Sequence, residues 1–196
     1  MLRTNTAALN AVLYTHSHKD HVAGLDDIRA YNYFQNSAID VYASNATANA
    51  LHKEFAYIFA DEKYPGIPDI NLNIINNDAP FFIGDILVQP IKVWHHKMPV
   101  LGFRINNFTY ITDANRIDEN EKEKIKGSEI LVINALRKED HISHFTLGQA
   151  IDLATELQVP QAYFTHISHQ LGLHETISKE LPENMQLAYD GLQIRL

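Results

Sequence analysis

Three histidines and one aspartate lie within six residues near the start of the chain. The segment reads Thr15-His16-Ser17-His18-Lys19-Asp20-His21 and directly follows an apolar run at 11–14. Imidazole nitrogens and carboxylate oxygens bind divalent transition metals in proteins. Because neighbouring side chains of a strand or an extended loop point in opposite directions, we expect His16 and His18 to face one ion, and Asp20 and His21 a second. The segment therefore predicts a metal site.

Further candidate ligands follow predicted strands elsewhere in the chain. His95 and His96 come after a strand that ends in Trp94, and we expect one of them to complete the coordination of the first ion. Asp113 also follows a strand and has two oxygens with which to bridge two ions, whereas His166 would bind the second ion. The alternatives are packed or hydrogen-bonded histidines and an aspartate that caps a turn.

The other histidines have different expected positions. His144 lies just before Thr146 at a predicted helix start, where it would either cap the helix or reach a substrate anion beside the free amide groups. We expect His169 at the edge of the site. His52 and His174 are assigned to the surface, because neither follows a strand.

The pattern of apolar residues predicts the elements that position these side chains. Alternating or continuous apolar runs predict strands, and apolar residues at helical spacing predict helices, one of them capped by Ser44. The predicted strands cover 11–14, 39–43, 72–75, 86–94, 100–105, 108–112, 130–135 and 162–164, and the predicted helices cover 25–34, 46–59, 119–126 and 147–157. Hairpins are expected at Asn106-Asn107 and between 187–189 and 192–194. Together the elements predict an α/β sandwich.

Composition limits the class of protein. The 196 residues, 45% of them hydrophobic, suit one domain over 1–196. With 16 basic and 24 acidic residues the formal charge is -8, which disfavours nucleic acid as a partner. The absence of cysteine excludes disulfides and thiolate metal sites. No stretch has the pattern of a signal peptide or a membrane span, so we expect a cytoplasmic protein without a membrane partner.

The motif His-x-His-x-Asp-His at 16–21 resembles the mark of the metallo-β-lactamase superfamily. Its flanks are similar to those of the PhnP group, phosphodiesterases that act on cyclic sugar phosphates, with ribonuclease Z as the neighbouring group. The similarity extends through the chain to the segments at 99–103, 112–113, 144–150, 165–169 and 188–192. The resemblance implies the αββα sandwich of that superfamily.

The resemblance also implies roles for individual residues. The implied metal ligands are His16, His18 and His95 on one ion, Asp20, His21 and His166 on the other, and Asp113 between them. His95 is preferred to His96 because of its spacing from the segment at 99–103. The implied catalytic residues are His144, which would face the phosphate, and Asp20. Histidine at position 18 favours hydrolysis, since the flavodiiron oxidoreductases of this fold favour glutamate there.

The leading hypothesis is a dinuclear phosphodiesterase with two divalent ions, Zn or Mn. A hydroxide shared by the ions would attack a small, cyclic phosphodiester, and His144, if protonated, would donate to the developing anion or to the departing oxygen. A thiolester or lactone hydrolase of the same fold is the alternative within the superfamily.

Members of the family usually begin with additional strands that precede the motif. The resemblance therefore implies an N-terminally truncated form of the fold with an exposed sheet edge, through which a homodimer would form. A catalytically inactive metal-binding fragment is the alternative that is not an enzyme.

Overall fold

The computed structural model describes residues 4–62, 64–76 and 78–195. The chain forms two compact units, Met1–Asn77 and Asp78–Leu196. Each unit has its own sheet and its own apolar core. Both units combine strands with helices, so the predicted α/β class is confirmed. The assignment of all 196 residues to a single hydrolase domain stays a prediction.

The first unit is built on a three-stranded parallel sheet in the order β1, β2, β3. The side chains of the central strand alternate between buried and half-buried, as expected of a strand with one face on the core. Parallel strands need crossover connections, which here contain the helices. The elements are β1 (Ala11–Leu13), α1 (Lys19–Val22), α2 (Arg29–Gln35), β2 (Ile39–Ala43), α3 (Asn45–Glu54) and β3 (Ile70–Ile74).

The first predicted helix, 25–34, is divided in the structure. A 3-10 helix at Ala23–Ile28 comes first, and α2 follows it. Gly24 and the Asp26-Asp27 pair are poor helix formers, which explains why the regular α-helix begins only after them.

The second predicted helix, 46–59, is also shorter than its spacing indicates. It consists of α3 and a separate 3-10 helix at Ala56–Phe59. Its predicted N-cap is confirmed, because the Ser44 hydroxyl accepts a hydrogen bond from the Thr47 N–H at 3.3 Å.

The second unit contains a mixed eight-stranded sheet. Its order is β11-β10-β9-β7-β6-β5-β4, with β8 paired to β5. The strands β7, β9, β10 and β11 are parallel, whereas β4, β5, β6 and β7 pair in antiparallel fashion. The strands are β4 (Phe81–Ile83), β5 (Ile86–His95), β6 (Met98–Ile105), β7 (Phe108–Ile111), β8 (Arg116–Ile117), β9 (Ile130–Asn134), β10 (Gln161–Thr165) and β11 (Met185–Leu187).

Two tight hairpins join β5, β6 and β7. The predicted turn at Asn106-Asn107 is confirmed, and Asn106 adopts a φ of 53° there. Gly102 in β6 lies close to β7. A Cβ at Gly102 would approach Ile111 Cγ1 to 2.8 Å and the Tyr110 carbonyl oxygen to 2.9 Å. Only glycine therefore fits at this position of the sheet.

Some strands differ from the sequence prediction. The pattern does not indicate β4 or β8, because strands of three and two residues are too short to show alternation. The hairpin predicted between 187–189 and 192–194 is wrong. Its first arm overlaps β11, which pairs in parallel with β10, and residues 192–195 form no regular element. Met185 and Leu187 are buried in the core, and this packing outweighs local pairing.

The helices of the second unit are α4 (Glu119–Ile125), α5 (Leu147–Glu156) and α6 (His174–Ser178). A capping box begins α5: the Thr146 hydroxyl accepts from the Gln149 N–H at 3.1 Å, and Gln149 Oε1 accepts from the Thr146 N–H at 3.0 Å. Across the described ranges, no helix is long and apolar enough to cross a membrane.

A buried carboxylate fixes α4 to the sheet. Glu121 is only 1% exposed. Its Oε2 accepts hydrogen bonds from the Lys92 backbone N–H and from Lys124 Nζ, both at 2.8 Å. Because the carboxylate is shielded from water, these partners are what make its burial tolerable.

We predict that Glu121→Ala lowers the free energy of unfolding by about 3–5 kcal/mol, since the Lys92 N–H and the Lys124 ammonium lose their partner. The matched control is Glu123→Ala on the same helix, whose exposed carboxylate pairs with Lys126 and should contribute less than about 1 kcal/mol. Urea unfolding of the two variants measures the difference. Equal losses would contradict the role assigned to Glu121.

Candidate metal centre

The histidine-rich segment of the first unit brings its four candidate ligands together. The ring of His16 lies 4.6 Å from that of His18 and 4.3 Å from that of His21, between centroids. His21 Nε2 is 3.3 Å from Asp20 Oδ2. His16 is buried, and its Nδ1 is 3.0 Å from the Thr15 hydroxyl, so Nε2 is the nitrogen that could bind a metal ion.

The backbone of this segment differs from the expected extended loop. His18 is the N-cap of α1, and its carbonyl oxygen accepts from the N–H groups of His21 and Val22 at 3.0 and 3.2 Å. The alternation of side chains therefore holds only up to His18. From Asp20 onward a helical turn sets the side-chain directions, and the burial of Val22 and Leu25 anchors that turn to the core.

In the second unit, the candidate residues lie together at the edge of the sheet formed by the carboxyl ends of its strands. β5 and β7 are both antiparallel to β6, and β9 and β10 are parallel to β7, so all four strands run the same way. His95 ends β5, Asp113 follows β7, His166 follows β10, and His144 lies in the loop after β9. Their common position at the carboxyl ends of the strands is the arrangement that the sequence predicts.

These four side chains lie close together. One ligand atom from each of His95, Asp113 and His144 lies within 4.8 Å of the others. His166 Nδ1 is 3.0 Å from Asp113 Oδ1. The His144 ring stacks on that of His166 at 4.9 Å and lies 4.7 Å from that of His95. We refer to His95, Asp113, His144 and His166 as the edge cluster.

Asp113 is buried and held in a defined conformation. Its φ of 55° is left-handed, which is uncommon outside glycine. The Thr112 hydroxyl donates to Asp113 Oδ1 at 2.9 Å. The Asn134 side chain accepts from the Ala114 N–H at 2.8 Å and donates to the Ala114 carbonyl at 3.0 Å. Asn134 thus fixes the backbone beside the carboxylate.

Asn134 is a residue of the site that the sequence does not predict. It lies at the end of β9 and is fully buried. The available signal is a polar residue that ends the apolar run Ile130 to Ile133. A buried amide needs hydrogen-bond partners, and these identify it as the residue that supports Asp113.

The geometry favours His95 over His96 as a ligand. His95 Nδ1 lies 2.9 Å from the Ser143 carbonyl oxygen. Since a carbonyl only accepts, Nδ1 carries the proton and Nε2 keeps a lone pair for a metal ion. His96 is exposed in the turn after β5, and its backbone N–H donates to Asn115 Oδ1.

His144 is buried against the other rings of the edge cluster. Burial, with smaller contributions from His166 and His95, lowers the pKa of His144 to about 4, although Asp113 acts in the opposite direction. The ring is therefore neutral at pH 7 in this environment. Among the described residues, Nδ1 of His144 is buried without a hydrogen-bond partner.

The alternative that His144 caps the following helix is wrong. The N-cap of α5 is Thr146, whose hydroxyl and backbone N–H are both used in the capping box. His144 therefore belongs to the edge cluster.

The remaining histidines lie around or away from this cluster. The ring of His141 is 5.0 Å from that of His144, and burial lowers the pKa of His141. His169 is exposed, and so are His52 and His174, in agreement with their assignment to the surface.

The donors present suit divalent metal ions. They are imidazole nitrogens and carboxylate oxygens, which bind Zn or Mn, and the chain has no thiolate. With Nδ1 of His95 donating to the Ser143 carbonyl, Nε2 of its neutral ring is the atom that such an ion would use. The described residues therefore fit a metal centre.

A family model described as the beta-lactamase superfamily domain matches residues 2–167. A protein named octanoyltransferase from Porphyromonas gingivalis is 36% identical over 187 residues, which cover 95% of this chain and 38% of that protein. An exodeoxyribonuclease YycJ from Bacillus anthracis is 26% identical over 137 residues, 67% of this chain and 46% of that one. The chain thus spans less than half the length of the curated relatives it matches.

Solved structures are similar over nearly the whole chain. A diphosphatase from the PhnP family superposes with a TM-score of 0.89 and 32% identity, covering 97% of this chain and 72% of that one. YhfI from Bacillus subtilis gives a TM-score of 0.75 at 18% identity, covering 94% and 76%. The short form of human tRNase Z gives 0.64 at 16% identity, covering 93% and 77%. The last two similarities support the fold alone.

We predict that Asn134→Ala weakens metal binding by about 10- to 100-fold, because the backbone beside Asp113 loses both of its bonds to the amide. Competition with a fluorescent chelator measures the affinity, and circular dichroism checks the fold. Asn184→Ala is the control, since its side chain donates to the Val159 carbonyl. Unchanged affinity in a folded Asn134→Ala protein would contradict the role of Asn134.

Proposed function

Because the chain belongs to the metallo-β-lactamase superfamily, in its PhnP-like group, we propose that it is a metal-dependent hydrolase that cleaves a small phosphodiester. The resemblance carried by the motif at 16–21, with the fold that it implies, is confirmed. The observation that carries the proposal is the edge cluster, which places three imidazoles around one buried carboxylate.

The proposed metal ligands are the seven predicted from the sequence. Asp113 would be shared by two ions, His16, His18 and His95 would hold one ion, and Asp20, His21 and His166 would hold the other. Such ions supply a nucleophile at neutral pH by lowering the pKa of water, and they offset negative charge on phosphoryl oxygens. The similarity to a PhnP-family diphosphatase supports this chemistry.

The protein's own groups would orient the reaction. The Ser143 carbonyl holds the His95 ring in one tautomer, and Asn134 holds the backbone that carries Asp113. A neutral His144 has one N–H, which would donate to a phosphoryl oxygen or to the departing alcohol oxygen. Asp20 would contribute as a ligand, through the position it gives to its ion.

Acyl thiolester hydrolysis is the second candidate function. This candidate is supported by the octanoyltransferase of Porphyromonas gingivalis, because the name of that relative denotes acyl transfer. This chain matches only 38% of that protein, so the name does not identify the activity of the matching segment. The edge cluster favours the phosphodiester, because His144 adds a hydrogen-bond donor where a phosphate has several acceptor oxygens.

A panel of four substrates tests the proposal on protein loaded with Zn or Mn: bis-p-nitrophenyl phosphate, a 2′,3′-cyclic nucleotide, an acyl thiolester and single-stranded DNA. We expect turnover of the first two. The formal charge of -8 disfavours the DNA. Turnover confined to the thiolester would contradict the proposal and support the second candidate.

We predict that Asp113→Ala loses both ions and nearly all phosphodiesterase turnover, because a shared ligand supports two sites at once. Metal content per chain is measured after dialysis. Asp85→Ala, which removes an exposed turn carboxylate of the same unit, is the control and should keep its metal. Two ions retained in Asp113→Ala would refute the bridging assignment.

We predict that His144→Gln lowers kcat by about 100-fold or more while the metal content stays unchanged, because a positioned donor is lost without a ligand. His169→Gln changes an exposed histidine and serves as the control. If His144→Gln releases an ion, His144 is a ligand, and its catalytic assignment is wrong.

A further inference from the structure

The loop that carries His144 holds a second histidine, His141, which is neither a proposed metal ligand nor a proposed catalytic residue. It lies in the connection between β9 and α5. Its ring is 5.0 Å from that of His144, between centroids, and the two ring planes are inclined by 35°. His141 is half-buried, whereas His144 is buried. The loop therefore presents two neighbouring imidazoles, and His141 is the more accessible of the two.

The backbone on both sides of His141 is held in place. Before it, the Asp140 carbonyl accepts from Arg137 Nη2 at 2.9 Å. After it, the Ile142 carbonyl accepts from Asn115 Nδ2 at 3.0 Å. Because both neighbours of His141 are fixed by side chains from other parts of the second unit, its ring has a defined position.

Ser143 orients the rings of both His141 and His95. Its backbone N–H donates to His141 Nδ1 at 3.3 Å, and its carbonyl oxygen is 2.9 Å from His95 Nδ1. Because an N–H group only donates, Nδ1 of His141 is unprotonated, and the neutral ring carries its proton on Nε2. Burial and the nearby Arg137 lower the pKa of His141, so the neutral ring is the form present at pH 7.

The Nε2–H group of His141 is available to a ligand. Within the described part of the chain, the hydrogen bonds of His141 involve Nδ1, and none involves Nε2. A neutral His144 also has one N–H. Since a hydrogen bond spans about 2.9 Å, donors on two adjacent rings can reach neighbouring oxygens of one small anion. A phosphoryl group offers several terminal oxygens to such donors, whereas the carbonyl of a thiolester offers one.

We propose that His141 is a second hydrogen-bond donor of the site, and that together with His144 it selects a phosphoryl group by binding two of its terminal oxygens. This assignment rests on the proposed function and adds a specificity-determining residue to it. A thiolester would use only one of the two donors, so the pair of histidines favours phosphate over an acyl group.

Two variants of His141 separate the donor from the support that the ring gives to its loop. In His141→Asn the side-chain oxygen would lie near the former position of Nδ1 and still accept from the Ser143 N–H, but no donor would reach the position of Nε2. In His141→Gln the longer side chain would place its amide near the former Nε2 and restore a donor there. The control is Ile142→Ala, which shortens a neighbouring side chain that is 67% exposed.

Calorimetric titration of the metal-loaded protein with inorganic phosphate tests the donor through binding alone. We expect His141→Asn to bind phosphate about tenfold more weakly than the unaltered protein, because one hydrogen bond to an anion is lost. His141→Gln and Ile142→Ala should remain within about twofold of the unaltered protein. Metal content is measured for every variant.

If His141 served only to support its loop, the order would be reversed, with His141→Asn unimpaired and His141→Gln impaired, and this result would overturn the assignment. Equal affinities or equal losses in the two variants, no binding of phosphate by the unaltered protein, or release of metal from His141→Asn would overturn it as well. The expected order of affinities together with failure of the phosphodiester panel would overturn the proposed activity and leave the phosphate site in place.

Discussion

The common direction of β5, β7, β9 and β10 is the constraint on which the edge cluster depends. A strand of five residues is roughly 17 Å long, so reversing any one of these strands would move its terminal donor to the opposite edge of the sheet. The tight hairpins on either side of β6 enforce the direction of β5 and β7, and the close approach at Gly102 keeps these hairpins in register. Chain topology therefore determines which residues can meet in the edge cluster.

Burial of Asp113 and His144 makes their hydrogen bonds important for stability. Asp113 and His144 are less than a tenth exposed and adjoin apolar core residues that include Ala114, Ala135 and Phe145. In such surroundings a polar group without partners is costly, while each bond that it does make is stronger than in water. The Thr112 hydroxyl satisfies one oxygen of Asp113, Asn134 holds the backbone beside that carboxylate, and the Ser143 carbonyl fixes the His95 ring. These bonds leave few positions available to Asp113 and His95.

Much of the site could be predicted from the sequence because its signals are local. The motif at 16–21 is contiguous, and His95, Asp113 and His166 each follow an apolar run whose end can be recognised. When the strands run in the same direction, a residue predicted at the end of a strand must lie at the carboxyl edge of the sheet. The strand boundaries were within one or two residues for β2, β7 and β9 for the same reason.

What the sequence could not provide depends on contacts between distant residues. Asn134 bonds to a residue 20 positions away, and nothing near it in the chain indicates that partner. The choice of β11 between a local hairpin and the edge of the sheet was decided by burial of Met185 and Leu187. The helical turn after His18 also escaped prediction, because four residues are too few to show helical spacing.

Asp113 and His166 share a feature with a further consequence: both have left-handed backbone, with φ of 55° and 54°. That conformation costs a residue with a side chain about 1 kcal/mol, and glycine avoids the cost. Directed evolution that selects on melting temperature alone would accordingly enrich glycine or asparagine at these two positions. The most heat-stable variants from such a selection would lack the two side chains that are proposed to bind metal.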